Sequence, residues 1–212
     1  INFSFAANGS PFGDNAALSV AINGLNGQLR NQALRGSGRI SRSAGNADLR
    51  FDGVDVRLGR TQLQLDGVLG TGSRDLRFVV NAEDLSLADP EARGKLNARG
   101  RFAGTTQAPL LQLDATGSSF EWRDYRVESL IADIDIDFGA GQRTKGNVQL
   151  QGLQPAGRDF QKLELTLAGT PSAQRIGLGM SAEPVRLDAT ASGSVTAGTF
   201  NGKIDSLTLK DD

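Results

Sequence analysis

The sequence predicts an all-β chain, and three observations predict it. Apolar and polar residues alternate with a period of two from one end to the other, which is the signature of strands with one apolar and one polar face. Clusters rich in Gly, Asn, Asp and Ser separate the alternating runs, as reversals between antiparallel neighbours do. Helical alternatives are confined to Leu29 to Arg35 and Ala88 to Arg93, and neither stretch reaches the roughly 12 residues at which helices become stable. The spacing of the turn signals predicts about 14 to 18 strands.

The elements follow in order. Ile1, Phe3 and Phe5 alternate with Asn2 and Ser4, and the cluster Asn8-Gly9-Ser10-Pro11 turns the chain back. Leu63 and Leu65 alternate with Gln62, Gln64 and Asp66; Leu69 to Ser73 make a reversal, and Leu76, Phe78 and Val80 form the next run. Leu130, Ala132, Ile134, Ile136 and Phe138 alternate with Ile131, Asp133, Asp135 and Asp137 before the turn at Gly139-Ala140-Gly141. After the turn at Pro155-Ala156-Gly157 come Leu163, Leu165 and Leu167, then Ile176, Leu178 and Met180, then Val185, Leu187 and Ala189, and finally Leu207 and Leu209. A faint echo links Gly53, Leu63, Leu65, Gly70, Ala82 and Glu83 to Gly152, Leu163, Leu165, Gly169, Ala182 and Glu183. Such self-similarity reads either as a long repeat or as the family likeness of all alternating strands.

Composition removes most chemistry. The 212 residues contain no His and no Cys, which excludes the usual zinc sites, Ser-His and Cys-His dyads and disulfide scaffolds. With 23 Lys and Arg against 24 Asp and Glu, scattered along the chain, there is no footprint for a nucleic-acid backbone. No window approaches the roughly 18 apolar residues of a membrane helix, and no signal-peptide pattern opens the chain. The chain is expected to be one elongated module, residues 1–212, either a mature chain or an interior piece of a longer one, and monomeric by itself.

An apolar sheet face must be covered, and without helices it can meet a second sheet, close into a barrel, or receive something that is not protein. A sandwich wants bulky inward residues, whereas Ala98, Ala115, Ala132, Ala189 and Ala191 are small. An outer-membrane barrel wants aromatic girdles, which one Trp and one Tyr cannot supply. A sheet of more than about ten strands tends to curl, and some 15 strands would form a trough roughly 70 Å long. Acyl chains suit such a wall, since each methylene leaving water gains about 0.8 kcal/mol without any specific polar site. Pattern by itself still favours a closed core over an open trough, because buried sandwich faces are the commoner solution.

Two stretches carry a resemblance that reverses this preference. Gly169-Thr170-Pro171-Ser172-Ala173-Gln174-Arg175-Ile176-Gly177-Leu178-Gly179-Met180, with Glu183 to Leu187, Ala191 to Val195 and Thr199 to Ile204, resembles the interior repeats of the TamB family, AsmA-like proteins of Gram-negative bacteria. Asp84 to Leu96, running into Gly100 to Gly104, resembles them too. Members often carry His where this chain has Gln174, and Trp where it has Phe200. The departure puts a metal or pH role for the first position in doubt, but not a strand-end packing role for Phe200.

The resemblance implies a U-shaped β groove, the β-taco, in a protein anchored in the inner membrane and crossing the periplasm. It implies partnership with TamA, an outer-membrane protein of the Omp85 class. Two activities come with it: carriage of phospholipid toward the outer membrane, and help in assembling outer-membrane barrels such as autotransporters. The lipid-facing candidates are then Leu63, Leu65, Phe78, Val80, Ile134, Ile136, Phe138, Leu163, Leu165, Leu167, Ile176, Leu178, Leu187, Leu207 and Leu209. The alternative is a scaffold whose open strand edges pair with nascent barrel strands. A β-helical autotransporter passenger fits less well, since the strands read as antiparallel and a short rung repeat is missing.

Other constellations read as structure. Asp133, Asp135 and Asp137 mimic the start of a calcium loop, but Thr144 stands where its bidentate Glu belongs, so a strand with a solvated acidic face is expected and no metal. Asp114 and Glu121 could serve as an acid and base pair, yet any β protein of this size offers such pairs. Trp122, Arg123, Tyr125 and Arg126 form the single aromatic and basic cluster, which suits a sheet rim or a contact to lipid headgroups or a protein edge. The expected protein is non-enzymatic and carries no cofactor.

Overall fold

The computed structural model describes residues 17–45, 47–70, 74–105, 108–139, 143–155, 158–196 and 199–211, and the backbone of residues 2–9. The strands are β1 (Asn2–Gly9), β2 (Leu18–Leu29), β3 (Gln32–Arg42), β4 (Leu49–Leu58), β5 (Thr61–Leu69), β6 (Arg74–Ala82), β7 (Ala92–Gly104), β8 (Pro109–Trp122), β9 (Tyr125–Asp137), β10 (Thr144–Pro155), β11 (Phe160–Thr170), β12 (Ala173–Ala182), β13 (Val185–Thr196) and β14 (Thr199–Asp211). A 3-10 turn at Leu85–Leu87 is the one helical element among the described residues. The cores of four expected reversals, residues 10–16, 71–73, 140–142 and 156–157, lie outside the described residues.

Every strand pairs antiparallel with its neighbours in sequence, giving one 14-stranded sheet in the order β1 to β14. Among the described residues β1 pairs with β2 alone and β14 with β13 alone, so the sheet is open. Both stretches that tempted a helical reading resolve locally. Leu29 to Arg35 is the β2–β3 hairpin, whose turn residues Arg30 and Asn31 have φ of 52° and 61°, as a type I′ turn requires. Ala88 to Arg93 follows the 3-10 turn and leads into β7.

Most strands run longer than the five or six residues usual in globular sheets. That length leaves room for a strand to bend along its run. The bend is marked by glycines. Gly24, Gly38, Gly53 and Gly67, on four successive strands, all have positive φ, and the register slips beside them in β2–β3, β3–β4 and β4–β5. Gly53 opens a bulge whose backbone N–H donates to Asp66 Oδ2 at 3.1 Å, and a Cβ on Gly67 would fall on the Asp75 carbonyl oxygen. Bulges bend a strand and tighten its twist. Aligned across neighbours, they fold the sheet along a line that crosses the strands.

A second crease crosses β8 to β11; the register slips between β7 and β8, where Gly94 faces Ser119, and holds from there to β11. In β8 the half-buried positions change phase between Gly117 and Phe120, in β9 between Val127 and Leu130, and in β11 between Phe160 and Leu163. Ser119 and Gly152 mark it with φ of 51° and 59°.

No large side chain is fully buried among the described residues, and the most enclosed apolar side chain larger than Ala is Val54, at 4% exposure. Leu63 and Leu165, on interior strands, are 38% and 42% exposed. Inside a sheet-on-sheet core such residues would approach full burial. The all-β fold is therefore an open, curled sheet with an apolar face, a β-taco, and the closed core that pattern favours does not form. The opposite face is charged, with ion pairs such as Arg57–Asp55 at 3.2 Å and Arg101–Asp75 at 2.7 Å. Exposed pairs of this kind contribute little to stability; the ladder hydrogen bonds and cross-strand apolar contacts hold the sheet.

Candidate functional site: an open apolar trough

Register places the apolar residues in rows that cross the strands. One row runs Leu65, Phe78, Gly100, Leu113, Ile134, Gly146, Leu167, Ile176, Ala191, Ile204 from β5 to β14. The next runs Leu63, Val80, Ala98, Ala115, Ala132, Val148, Leu165, Leu178, Ala189, Leu207. A third runs Ala82, Leu96, Gly117, Leu130, Leu150, Leu163, Met180, Leu187, Leu209, and a shorter one joins Leu76, Phe102, Leu111 and Ile136. No charged residue interrupts any of them.

The sequence-predicted wall residues that lie within strands therefore share this face. Phe138 stands one residue past the end of β9 and keeps the phase of Ile134 and Ile136, its backbone N–H donating to the Pro109 carbonyl at 3.1 Å, while the Asp137 carboxylate accepts from the Gly139 backbone N–H at 2.8 Å. Sequence reasoning also missed wall residues. Leu111 and Leu113 alternate with Gln112 and Asp114 as plainly as any run. Val54 and Val56 were hidden because the bulge at Gly53 breaks the period of two.

The small residues are not gaps. A Cβ on Gly100 would meet the Phe78 ring at 2.6 Å, and one on Gly193 or Gly202 would meet the Phe200 ring at 2.8 or 2.6 Å. Aromatic rings thus lie over glycines on adjoining strands, an arrangement that protects otherwise bare backbone. It also gives Phe200 the packing role expected of it. Gln174, 2% exposed, reaches across Gly169 and accepts from the Thr144 hydroxyl at 2.8 Å. This buried pair sits where β10 and β12 begin, close under one lip of the trough.

The residues of the remaining constellations find partners within the sheet. Asp133 and Asp135 face Lys145 and Gln112 at 3.2 and 3.3 Å, and among the described residues no group of acidic side chains could hold a metal ion. Asp114 pairs with Arg99 at 3.1 Å and Glu121 with Arg126 at 3.5 Å. Trp122 and Tyr125 stack with centroids 6.4 Å apart at the tip of the β8–β9 hairpin. A concavity of about 590 Å3 opens on the polar face beside Arg175, Ser192 and Lys203. The apolar face is an open channel.

Comparison with known proteins agrees with this geometry. The family model described as TamB, N-terminal domain, matches residues 1–212. The translocation and assembly module subunit TamB of Haemophilus influenzae is 24% identical over 179 residues, which is 83% of this chain and 14% of the relative. The chain thus spans about a seventh of that relative's length. No solved structure matches. No helix among the described residues is long and apolar enough to cross a membrane.

Proposed function

The chain belongs to the TamB family, and from that premise we propose that its apolar trough carries phospholipid acyl chains across the periplasm toward the outer membrane. The observation that supports this most is the set of unbroken, half-exposed apolar rows from β5 to β14. A wall of that kind gains about 0.8 kcal/mol for each methylene it takes from water. A chain of fifteen methylenes would be held by up to roughly 12 kcal/mol before entropy is subtracted. Because the attraction is spread over many rows, the lipid slides between near-equal positions. No bond is made or broken, and the reading is non-enzymatic, with a TamA-like Omp85 protein receiving the lipid at the outer membrane.

A second reading follows the name of the relative, a subunit of a translocation and assembly module: a scaffold for barrel assembly, in which an unpaired strand edge of the parent protein takes up a further strand.

One experiment separates them. The protein is purified without detergent and its phospholipid counted by mass spectrometry, with Ile134→Arg as the variant. Gly146, beside Ile134, leaves room for the longer side chain. Bound lipid that is lost in a folded Ile134→Arg protein is the expected result. Lipid retained in that variant sinks the trough reading. If prolines placed in an edge strand of the complete protein then abolish barrel assembly, the scaffold reading takes its place.

A further inference from the structure

On the lip formed by the β2–β3, β4–β5, β6–β7 and β8–β9 connections, three turns have only two residues between strands, while Glu83 to Glu91 make a nine-residue loop. Asp84 caps its 3-10 turn by accepting from the Ser86 backbone N–H at 2.9 Å. The loop is held from both directions. Arg30, at the tip of the β2–β3 hairpin, reaches past the β4–β5 hairpin and donates to the Ser86 and Leu87 carbonyls at 2.8 and 2.9 Å. Those are carbonyls at the end of a helical turn, which leaves them without partners of its own and favours a cation there.

From the β4–β5 hairpin, the Thr61 hydroxyl donates to the Asp84 carbonyl at 3.4 Å and Arg60 pairs with Glu83 at 3.6 Å. From the other side, Arg123 in the β8–β9 turn pairs with Glu91 at 2.7 Å while its guanidinium lies 4.7 Å from the centre of the Trp122 ring. The aromatic cluster is thus the anchor of an arginine. Three hairpins, β2–β3, β4–β5 and β8–β9, are tied together at their tips through the one long loop.

We propose that this loop is a clasp: it fastens the lip from β2 to β9 and so limits sideways exchange of acyl chains through the mouth of the trough. The exchange half rests on the lipid reading above; the fastening half stands on the contacts alone.

The test uses the complete protein with spin labels on Gln28→Cys and Ala88→Cys, both exposed and outside these contacts, any cysteine beyond residues 1–212 being replaced. Combining Arg30→Gln with Arg123→Gln should lengthen and broaden the distance between labels while circular dichroism keeps its β signature. An unchanged distribution overturns the clasp. Exchanging the charges, with Arg123→Glu and Glu91→Arg together, should restore the wild-type distance and shows that the pairing, not a folding defect, sets it.

Release of bound phospholipid to vesicles of phosphatidylethanolamine and phosphatidylglycerol should become several-fold faster in the opened variant. Opening without faster release overturns the exchange role. A wild-type protein that carries no lipid overturns the lipid reading and the exchange role with it, and the label distances still decide the fastening.

Discussion

Strands β4 to β6 and β10 to β12 echo one another about one hundred positions apart: Leu63 and Leu65 share an apolar face with Leu163 and Leu165, and Gly53 and Gly152 have nearly equal φ of 55° and 59°. The two regions bend differently. At Gly53 the register slips, and the partner strand answers with Gly67 at φ 118°. At Gly152 the register holds across β9, β10 and β11. They are fastened differently too, the first by the loop clasp on one lip, the second by the buried Thr144–Gln174 pair under the other. A shared apolar pattern fixes which face is inner; the bend and the fastening rest on a few positions outside that pattern.

The sharpest way to break the comparison is at the crease. A Cβ on Gly67 would collide with the Asp75 backbone in a conformation that L residues avoid, so Gly67→Ala should cost about 3 kcal/mol or more. At Gly53 a Cβ meets nothing within 4 Å, and Gly53→Ala should cost only the left-handed penalty of about 1 to 2 kcal/mol. Gly152→Ala should fall between the two, because a Cβ there must displace the Glu128 side chain but no backbone. Urea denaturation midpoints at constant slope measure all three. Equal losses at Gly67 and Gly53 would mean that close approach to β6 does not set the bend.

This contrast explains what the sequence could disclose. Alternation announced the strands because its period survives wherever the ladder is regular, as in Leu163, Leu165 and Leu167. It failed at Gly53, where one inserted residue inverts the phase and hides Val54 and Val56. At Ser119 no local signal existed, since a serine with φ of 51° looks like any other serine in a strand. Openness was equally silent: Leu165 has the same neighbours in sequence whether a second sheet covers it or not. Family resemblance supplied that choice, and exposure of the wall residues bears it out. The clasp was beyond reach because Arg30 meets partners 56 and 57 residues away.

A smaller effect sharpens the second region. Thr144→Val removes the donor to Gln174 and leaves a buried carbonyl oxygen without a partner, which should cost about 1 to 3 kcal/mol. Gln174→Leu should cost less, because its amide nitrogen already lacks a partner. The double variant should be more stable than the sum of the two losses predicts, as for any pair whose members depend on each other. Additive losses in that cycle would show that the 2.8 Å bond is not what closes this lip.

Acid should bring the smallest change, and it acts on the first region. The Arg57 guanidinium beside Asp55, helped by the Gln64 and Gln62 amides against a little burial, holds that carboxyl below its ordinary 3.8. Arg101 does the same for Asp75. A carboxyl whose folded pKa is depressed binds its proton more readily in the unfolded chain. The stability it contributes is whole above pH 3.8 and is lost as pH falls through the lower folded value. Unfolding measured from pH 5 down to pH 2 should therefore show a decline that flattens when Asp55→Asn and Asp75→Asn are combined. Since both carboxylates lie on the polar face, lipid carried by the opposite face should stay bound through the upper part of that decline. Lipid lost in step with the first protonation would mean that the charged face controls the width of the trough.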